Sequence, residues 1–257
     1  RPPHWRAYPP ALVLAAKADP ARAVYVNARL MAEELRAVGI TMDCAPLADV
    51  LAPECHAIIG DRAFGDTAEV VARLARAQSE ALLDGGILPV LKHIPGHGRA
   101  TLDSHEALSV VSAPLVELEA SDFIPFRALN DLPLAMTAHI LYTALDETRV
   151  ATLSPTVIRF IREEIGFDGL LMSDDLSMKA LGGSYGARTE LALAAGCDLV
   201  LHCNGKMDEM QEVAAASVTL PPLGLARANR AAEMRRTPDA TQEAAFLAEW
   251  QQVLAVA

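Results

Sequence analysis

Two short stretches concentrate the side chains capable of chemistry. Lys92-His93-Ile94-Pro95-Gly96-His97-Gly98 and then Asp103-Ser104-His105 gather three histidines, a lysine and an aspartate within 14 residues, directly after an apolar run. Imidazole titrates near neutrality and can donate and then accept a proton, so this stretch suits general acid-base work. Histidines and a carboxylate also suit zinc, although no His-x-His, Cys-x-x-Cys or His-Glu-x-x-His spacing occurs. The structural reading is that His93 and His97 are hydrogen-bonded core histidines and Asp103-Ser104 is a turn or helix cap. The second stretch, Gly169-Leu-Leu-Met-Ser173-Asp174-Asp175-Leu-Ser177-Met178, ends an apolar run in two adjacent carboxylates. One of them could act as a nucleophile or base; alternatively, Ser173 or Asp174 could cap a helix.

These residues need elements to position them. Apolar runs at Thr41–Leu47, Ile87–His93, Leu134–His139, Gly169–Met172 and Asp198–His202 predict strands. Apolar residues at helical spacing predict helices over Ala21–Val38, Thr67–Asp84, Ser121–Asn130, Ser154–Ile165 and Thr189–Ala195. Gly39, Gly85-Gly86, Gly166 and Gly196 follow four of these helices, where left-handed caps belong. The alternation predicts a parallel α/β fold. Asp49, Lys92, His93, His139, Asp174, Asp175 and Asn204 all follow strand runs. In a TIM (β/α)8-type barrel they would share the C-terminal mouth, with Asp174 and His105 facing across it. An open doubly wound sheet would line them along one edge. Five strands are fewer than eight, so the expectation is a single domain over 1–257, a barrel lacking its first one or two βα units, about 60 residues. Residues 219–257 form closing helices in this reading.

A formal charge of −11 and a pI near 5.1 work against nucleic acid or anionic lipid as partners. No apolar run approaches the roughly 20 residues of a membrane span, and Arg1-Pro-Pro-His-Trp5 has no apolar core of a secretory signal. Cys44, Cys55, Cys197 and Cys203 are irregularly spaced and read as free thiols. The expectation is a cytoplasmic monomer with no cofactor and no resident metal.

The motifs Lys92-His-Ile-Pro-Gly-His-Gly98, Asp103-Ser-His105 and Gly169 to Met178, with Gly60-Asp61-Arg62-Ala63-Phe64-Gly65, resemble those of the family 3 glycoside hydrolases. The Asp-Ser-His element resembles the bacterial β-N-acetylhexosaminidase branch. That resemblance implies a retaining hydrolase that removes terminal β-linked N-acetylglucosamine through a covalent glycosyl-aspartate. It implies Asp174 as nucleophile, His105 as general acid and then base, and Asp103 as the residue orienting His105. It further implies Arg62, Lys92 and His93 as sugar-binding residues, with His139 as a lesser lining residue. The implied substrate is a small carbohydrate, an N-acetylglucosaminyl muropeptide of peptidoglycan recycling. Two other readings stay open: a metal-dependent barrel hydrolase ligated by His93, His97, Asp103 and His105, and a non-catalytic sugar-binding remnant.

Overall fold

The computed structural model describes residues 3–53, 55–103, 106–239 and 243–255. Seven strands are formed among them: β1 (Met42–Asp43), β2 (Leu88–Ile94), β3 (Ser109–Val111), β4 (Leu134–Thr137), β5 (Ile140–Tyr142), β6 (Leu170–Asp175) and β7 (Leu199–Leu201). Five make one parallel sheet in the order β1-β2-β4-β6-β7, and β3 pairs with β5 in a separate parallel ribbon. Parallel neighbours need crossovers. Long helices supply several of them: α3 (Ala68–Asp84) runs between β1 and β2, α6 (Pro155–Glu163) precedes β6, and α7 (Tyr185–Ala195) links β6 to β7.

Local chemistry sets the helix ends. Helix α1 (Ala11–Ala15) leads into α2 (Pro20–Ala37), where Asp19 accepts the Arg22 amide at 3.1 Å and Pro20 occupies the first turn. Ser154 and Ser184 accept amides of Val157 and Ala187 at the starts of α6 and α7, and Gly196 closes α7 with φ +115°. Of the helix expected over Ser121–Asn130 only α5 (Ile124–Ala128) forms, preceded by a separate short helix, α4 (Leu115–Ala120). Pro125 lies in the first turn of α5, where its missing N–H is tolerated.

Sheet geometry carries the site. Val90, Leu134 and Leu170 align across β2, β4 and β6, as do Lys92, Met136 and Met172 one pleat later. Leu91, Ala135 and Leu171 point into the main core beside Val71 and Leu74 of α3 and Ile158 of α6. Val90, Leu134, Met136, Leu170 and Met172 point to the other face, against Ala228 and Ala231 of α9 (Pro222–Glu233). Side chains alternate along a strand, so Lys92 and Asp174 continue this second face, the apolar surface that floors the cleft. At the opposite ends of the strands, Arg162 and Arg227 both pair with Asp198, and Arg230 pairs with Asp168, tying α9 to β6 and β7.

The described residues form the expected parallel α/β fold as a five-stranded sheet with β1 and β7 as its two edges, without the closure of a full barrel. Two expectations change. The expected first strand shrinks to Met42–Asp43 because Pro46 lacks an N–H for the ladder, leaving only a bridge from Leu47 to Lys92. The fourth strand extends beyond Met172 to Asp175, so Asp174 lies on a strand and does not cap a helix. The tail forms α8 (Met207–Ala216), α9 and α10 (Glu243–Ala255). No described helix is long and apolar enough to cross a membrane, and no cysteine forms a disulfide among the described residues.

After β2 the chain crosses the segment that follows β1: the Ala52 amide donates to the Gly98 carbonyl at 3.1 Å and the His56 amide to the Ala100 carbonyl at 2.8 Å. A Cβ on Gly98 would meet the Val50 carbonyl oxygen at 1.7 Å. Backbone against backbone cannot yield as a side-chain tip can, so Gly98→Ala is expected to lower unfolding free energy by about 3 kcal/mol in urea titration. An unchanged midpoint would contradict this crossing.

Candidate active site

A cleft of about 270 Å³ opens where β2, β4, β6 and β7 end. Arg62, Lys92, His93, His97, Met136, Asp174 and Asp175 line it, together with Cys44 and Cys203. Sequence residues 82 positions apart, Lys92 and Asp174, thus share one wall because parallel strands deliver their C-terminal ends to one side.

The best-anchored group is one to which the sequence assigned no role. Asp49 is fully buried and accepts three hydrogen bonds: from the His93 amide at 3.1 Å, the His97 amide at 2.7 Å and His93 Nδ1 at 2.8 Å. Burial alone would raise its pKa, but the His93 ring, His97 and the amide donors hold the carboxyl below the ordinary range. An ionised carboxylate only accepts, so Nδ1 donates, and Nε2 of His93 is left facing Asp174 Oδ2 at 4.0 Å. The peptide bonds Lys92-His93 and Ile94-Pro95 are both cis. The only signal for Asp49 in the sequence was a charge placed directly after an apolar run.

Asp174 is held ionised. Burial opposes this, while His93, the Asp175 amide and Lys92 keep its pKa below the usual carboxylate value. The Asp175 amide donates to Oδ1 at 2.8 Å, leaving Oδ2 as the oxygen turned towards His93. Asp175 differs from its neighbour because its carboxylate is already engaged. It accepts from the Ser177 amide at 2.9 Å, the Ser177 hydroxyl at 2.6 Å and the Cys203 amide at 3.1 Å. Ser173 is fully buried, and its hydroxyl accepts the Leu201 amide at 2.9 Å, joining β6 to β7. The cleft thiols are poor nucleophiles. Burial pushes Cys203 up to about 11 and also raises Cys44, so both stay protonated near neutrality.

The other expected residues fall as follows. Lys92 is gripped through its backbone, its amide donating to the Pro46 carbonyl at 3.0 Å and its carbonyl accepting from Ala48 at 2.7 Å. Arg62 ends a 3-10 turn at Gly60–Arg62, is exposed, and donates to the Ile58 carbonyl at 2.9 Å. His139, expected as a lesser lining residue, does not line the cleft: it is fully buried with both ring nitrogens bonded within the protein. Asp103 is half-buried, outside the cleft lining, and its carbonyl accepts the Glu106 and Ala107 amides at 2.9 Å. Ser104 and His105 lie outside the described residues. Among the described residues no group of three or more His, Cys, Asp or Glu is arranged to hold a metal ion.

His97 packs its ring 5.2 Å from that of His93. Burial, reinforced by His93, pulls its pKa down to about 4. The unfolded chain therefore takes up this proton near pH 6.5 and the folded chain only near pH 4, so stability falls as pH drops through that window. The loss is about 3 kcal/mol. Asp49 adds a second loss at low pH, because its carboxyl is depressed in the folded state. Urea titrations from pH 7 to pH 4 should show the His97 share as the part of the decline that disappears in His97→Asn. Parallel declines in both proteins would refute it.

Comparison with known proteins places this geometry. Residues 5–233 match the model for the glycosyl hydrolase family 3 N terminal domain. A beta-hexosaminidase of Methylococcus capsulatus is 45% identical over 180 residues, 68% of this chain and 53% of that protein. One from Neisseria gonorrhoeae is 40% identical over 191 residues, 72% of this chain and 52% of that protein. The chain thus spans about half the length of the curated relatives it matches. The crystal structure of NagZ from Neisseria gonorrhoeae in complex with N-trifluoroacetyl-D-glucosamine superposes with a TM-score of 0.85 at 31% identity, covering 98% of this chain and 76% of that one. A parallel sheet with its polar residues at the strand ends, and this match over most of its length, make the chain a member of glycoside hydrolase family 3.

Proposed function

We propose that this protein is a retaining glycoside hydrolase that removes terminal non-reducing β-linked N-acetylglucosamine from small carbohydrates, with Asp174 as nucleophile. The observation that carries the reading is the ionised Asp174 carboxylate at a strand end, with one oxygen held by an amide and the other turned into a cleft lined by His93, Lys92 and Arg62. The names of the relatives, and the glucosamine derivative bound to NagZ, support N-acetylglucosamine as the sugar.

In this mechanism Asp174 Oδ2 attacks the anomeric carbon as the bond to the leaving oxygen breaks, and a general acid protonates that oxygen. The product is a glycosyl-aspartate. Water, deprotonated by the same group acting as base, then attacks the anomeric carbon and frees Asp174, so configuration is retained. His105 is assigned as acid and base, with Asp103 orienting it; imidazole titrates near neutrality and can fill both roles. Lys92 and His93, at the end of β2, and Arg62, on the turn at Gly60–Arg62, are assigned to the sugar hydroxyls, where polar groups held by the backbone orient the ring. The sheet is read as part of a (β/α)8-type barrel in a single domain over 1–257 with closing helices from 219. The protein is further assigned as a cytoplasmic monomer acting on N-acetylglucosaminyl muropeptides of peptidoglycan recycling.

The test uses an aryl N-acetyl-β-glucosaminide and a muropeptide disaccharide. The expected result is release of N-acetylglucosamine by the wild-type chain. Asp174→Asn should lose roughly 10⁴-fold in kcat while its Kd for N-acetylglucosamine stays within about threefold. Turnover by Asp174→Asn at the wild-type rate would overturn the assignment. Sugar affinity in the wild type without release would favour a non-catalytic binding protein instead.

A further inference from the structure

Beyond Met172 the sheet stops supplying hydrogen bonds to β6 on its β4 side. The β4–β6 pairing ends at Met136 and Met172, and the register with β7 shifts between Met172 and Asp175. The strand end that carries Asp174 therefore needs side chains to hold it. His139, directly after β4, supplies one: its Nε2 lies 3.0 Å from the Asp175 carbonyl oxygen. A carbonyl only accepts, so Nε2 carries the proton. Burial lowers the pKa of His139 and keeps the ring neutral, which leaves a lone pair on Nδ1. The Thr152 hydroxyl, 2.8 Å away, donates to that lone pair, and Thr137, at 2.7 Å, donates in turn to Thr152. The Ala138 carbonyl, 3.1 Å from Thr152, is the longer competitor for the same hydrogen. Thr137, His139 and Thr152 are all fully buried.

Asp175 is thus gripped at both of its backbone polar groups. Its carbonyl meets His139, and its N–H points at Asp174 Oδ1, 2.8 Å away. We infer that His139 is a positioning residue for the nucleophile: fixed as the Nε2–H tautomer by Thr152 and Thr137, it holds the Asp175 backbone so that the Asp175 amide aims and stabilises the Asp174 carboxylate. A histidine that merely fills the core would need neither a defined tautomer nor a contact to this carbonyl. The inference rests on Asp174 acting as the nucleophile.

The experiment compares His139→Phe, His139→Gln and Thr152→Val with the wild-type chain. It measures kcat and KM on an aryl N-acetyl-β-glucosaminide, folding by circular dichroism, and the His139 tautomer by ¹⁵N-histidine NMR. His139→Phe keeps the volume but removes the donor; kcat should fall about 10²-fold, the scale of one lost preorganised hydrogen bond, with KM within roughly threefold. His139→Gln, whose amide can reach the same carbonyl, should recover about tenfold of that loss. Thr152→Val should lower kcat about tenfold, because the tautomer is no longer enforced. A folded His139→Phe with kcat within roughly threefold of wild type overturns the inference, as does a Gln variant no better than Phe. A wild-type His139 protonated on Nδ1 also overturns it. If His139→Phe does not fold, the Gln and Val variants with the wild-type tautomer decide. A wild-type chain that releases no sugar would refute the hydrolase reading, while the tautomer still tests the hydrogen-bond chain.

Discussion

The site depends on a buried anion. Asp49 has no access to water, and an isolated carboxylate in such a place would be driven to protonate or to drag the fold open. It stays charged because two backbone amides and an imidazole N–H converge on it. The donors come from residues 93 and 97, across the loop that leaves β2, whereas Asp49 follows β1. A single set of hydrogen bonds therefore clamps two strand ends together, fixes the His93 tautomer and turns Nε2 towards Asp174. The close approach of Gly98 to Val50 belongs to the same clamp, since a side chain there would push the loop off the segment that carries Asp49.

Three aspartates in one neighbourhood are separated by how fully their oxygens are used. Asp49 is saturated and structural. Asp175 is engaged by Ser177 and Cys203, so it binds the end of β6 to the loop after β7. Among the described residues Asp174 accepts a single amide hydrogen bond, and its second oxygen meets the cleft. Reactivity follows from what is left unspent: a carboxylate already accepting several hydrogen bonds is a weaker nucleophile than one accepting a single bond. The lowered pKa of Asp174 keeps it anionic, while the Cys44 and Cys203 thiols beside it stay protonated.

Periodicity and residue type carried much of this into the sequence. All five expected strands form with shifted ends, and the run of Leu170, Met172 and Asp174 on one face follows from strand alternation alone. What was illegible depended on partners distant in the chain. The role of Asp49 exists only because residues 93 and 97 return to it, and His139 looked like a cleft residue until its two nitrogens were matched to Thr152 and Asp175. The ribbon of β3 and β5 escaped notice because three-residue strands leave no periodic signature. Ser173, whose type suits a helix cap, instead accepts a β7 amide, an outcome fixed by the neighbouring strand rather than by local preference.

The residues assigned to the chemistry differ in how their backbones are held. Lys92 and His93 sit at the end of the seven-residue strand β2, and their backbones bond to the segment after β1 on one side. Asp103 stands apart from that strand end: it follows Leu102, whose amide and carbonyl both contact the Ser109 hydroxyl, at 3.1 and 3.4 Å. A sugar ring must be held to within tenths of an ångström for a carboxylate to attack its anomeric carbon. The acid, by contrast, has to serve a departing oxygen and then an arriving water. Lys92 and His93, held through their backbones at the end of β2, answer the first of these demands under the proposed reading.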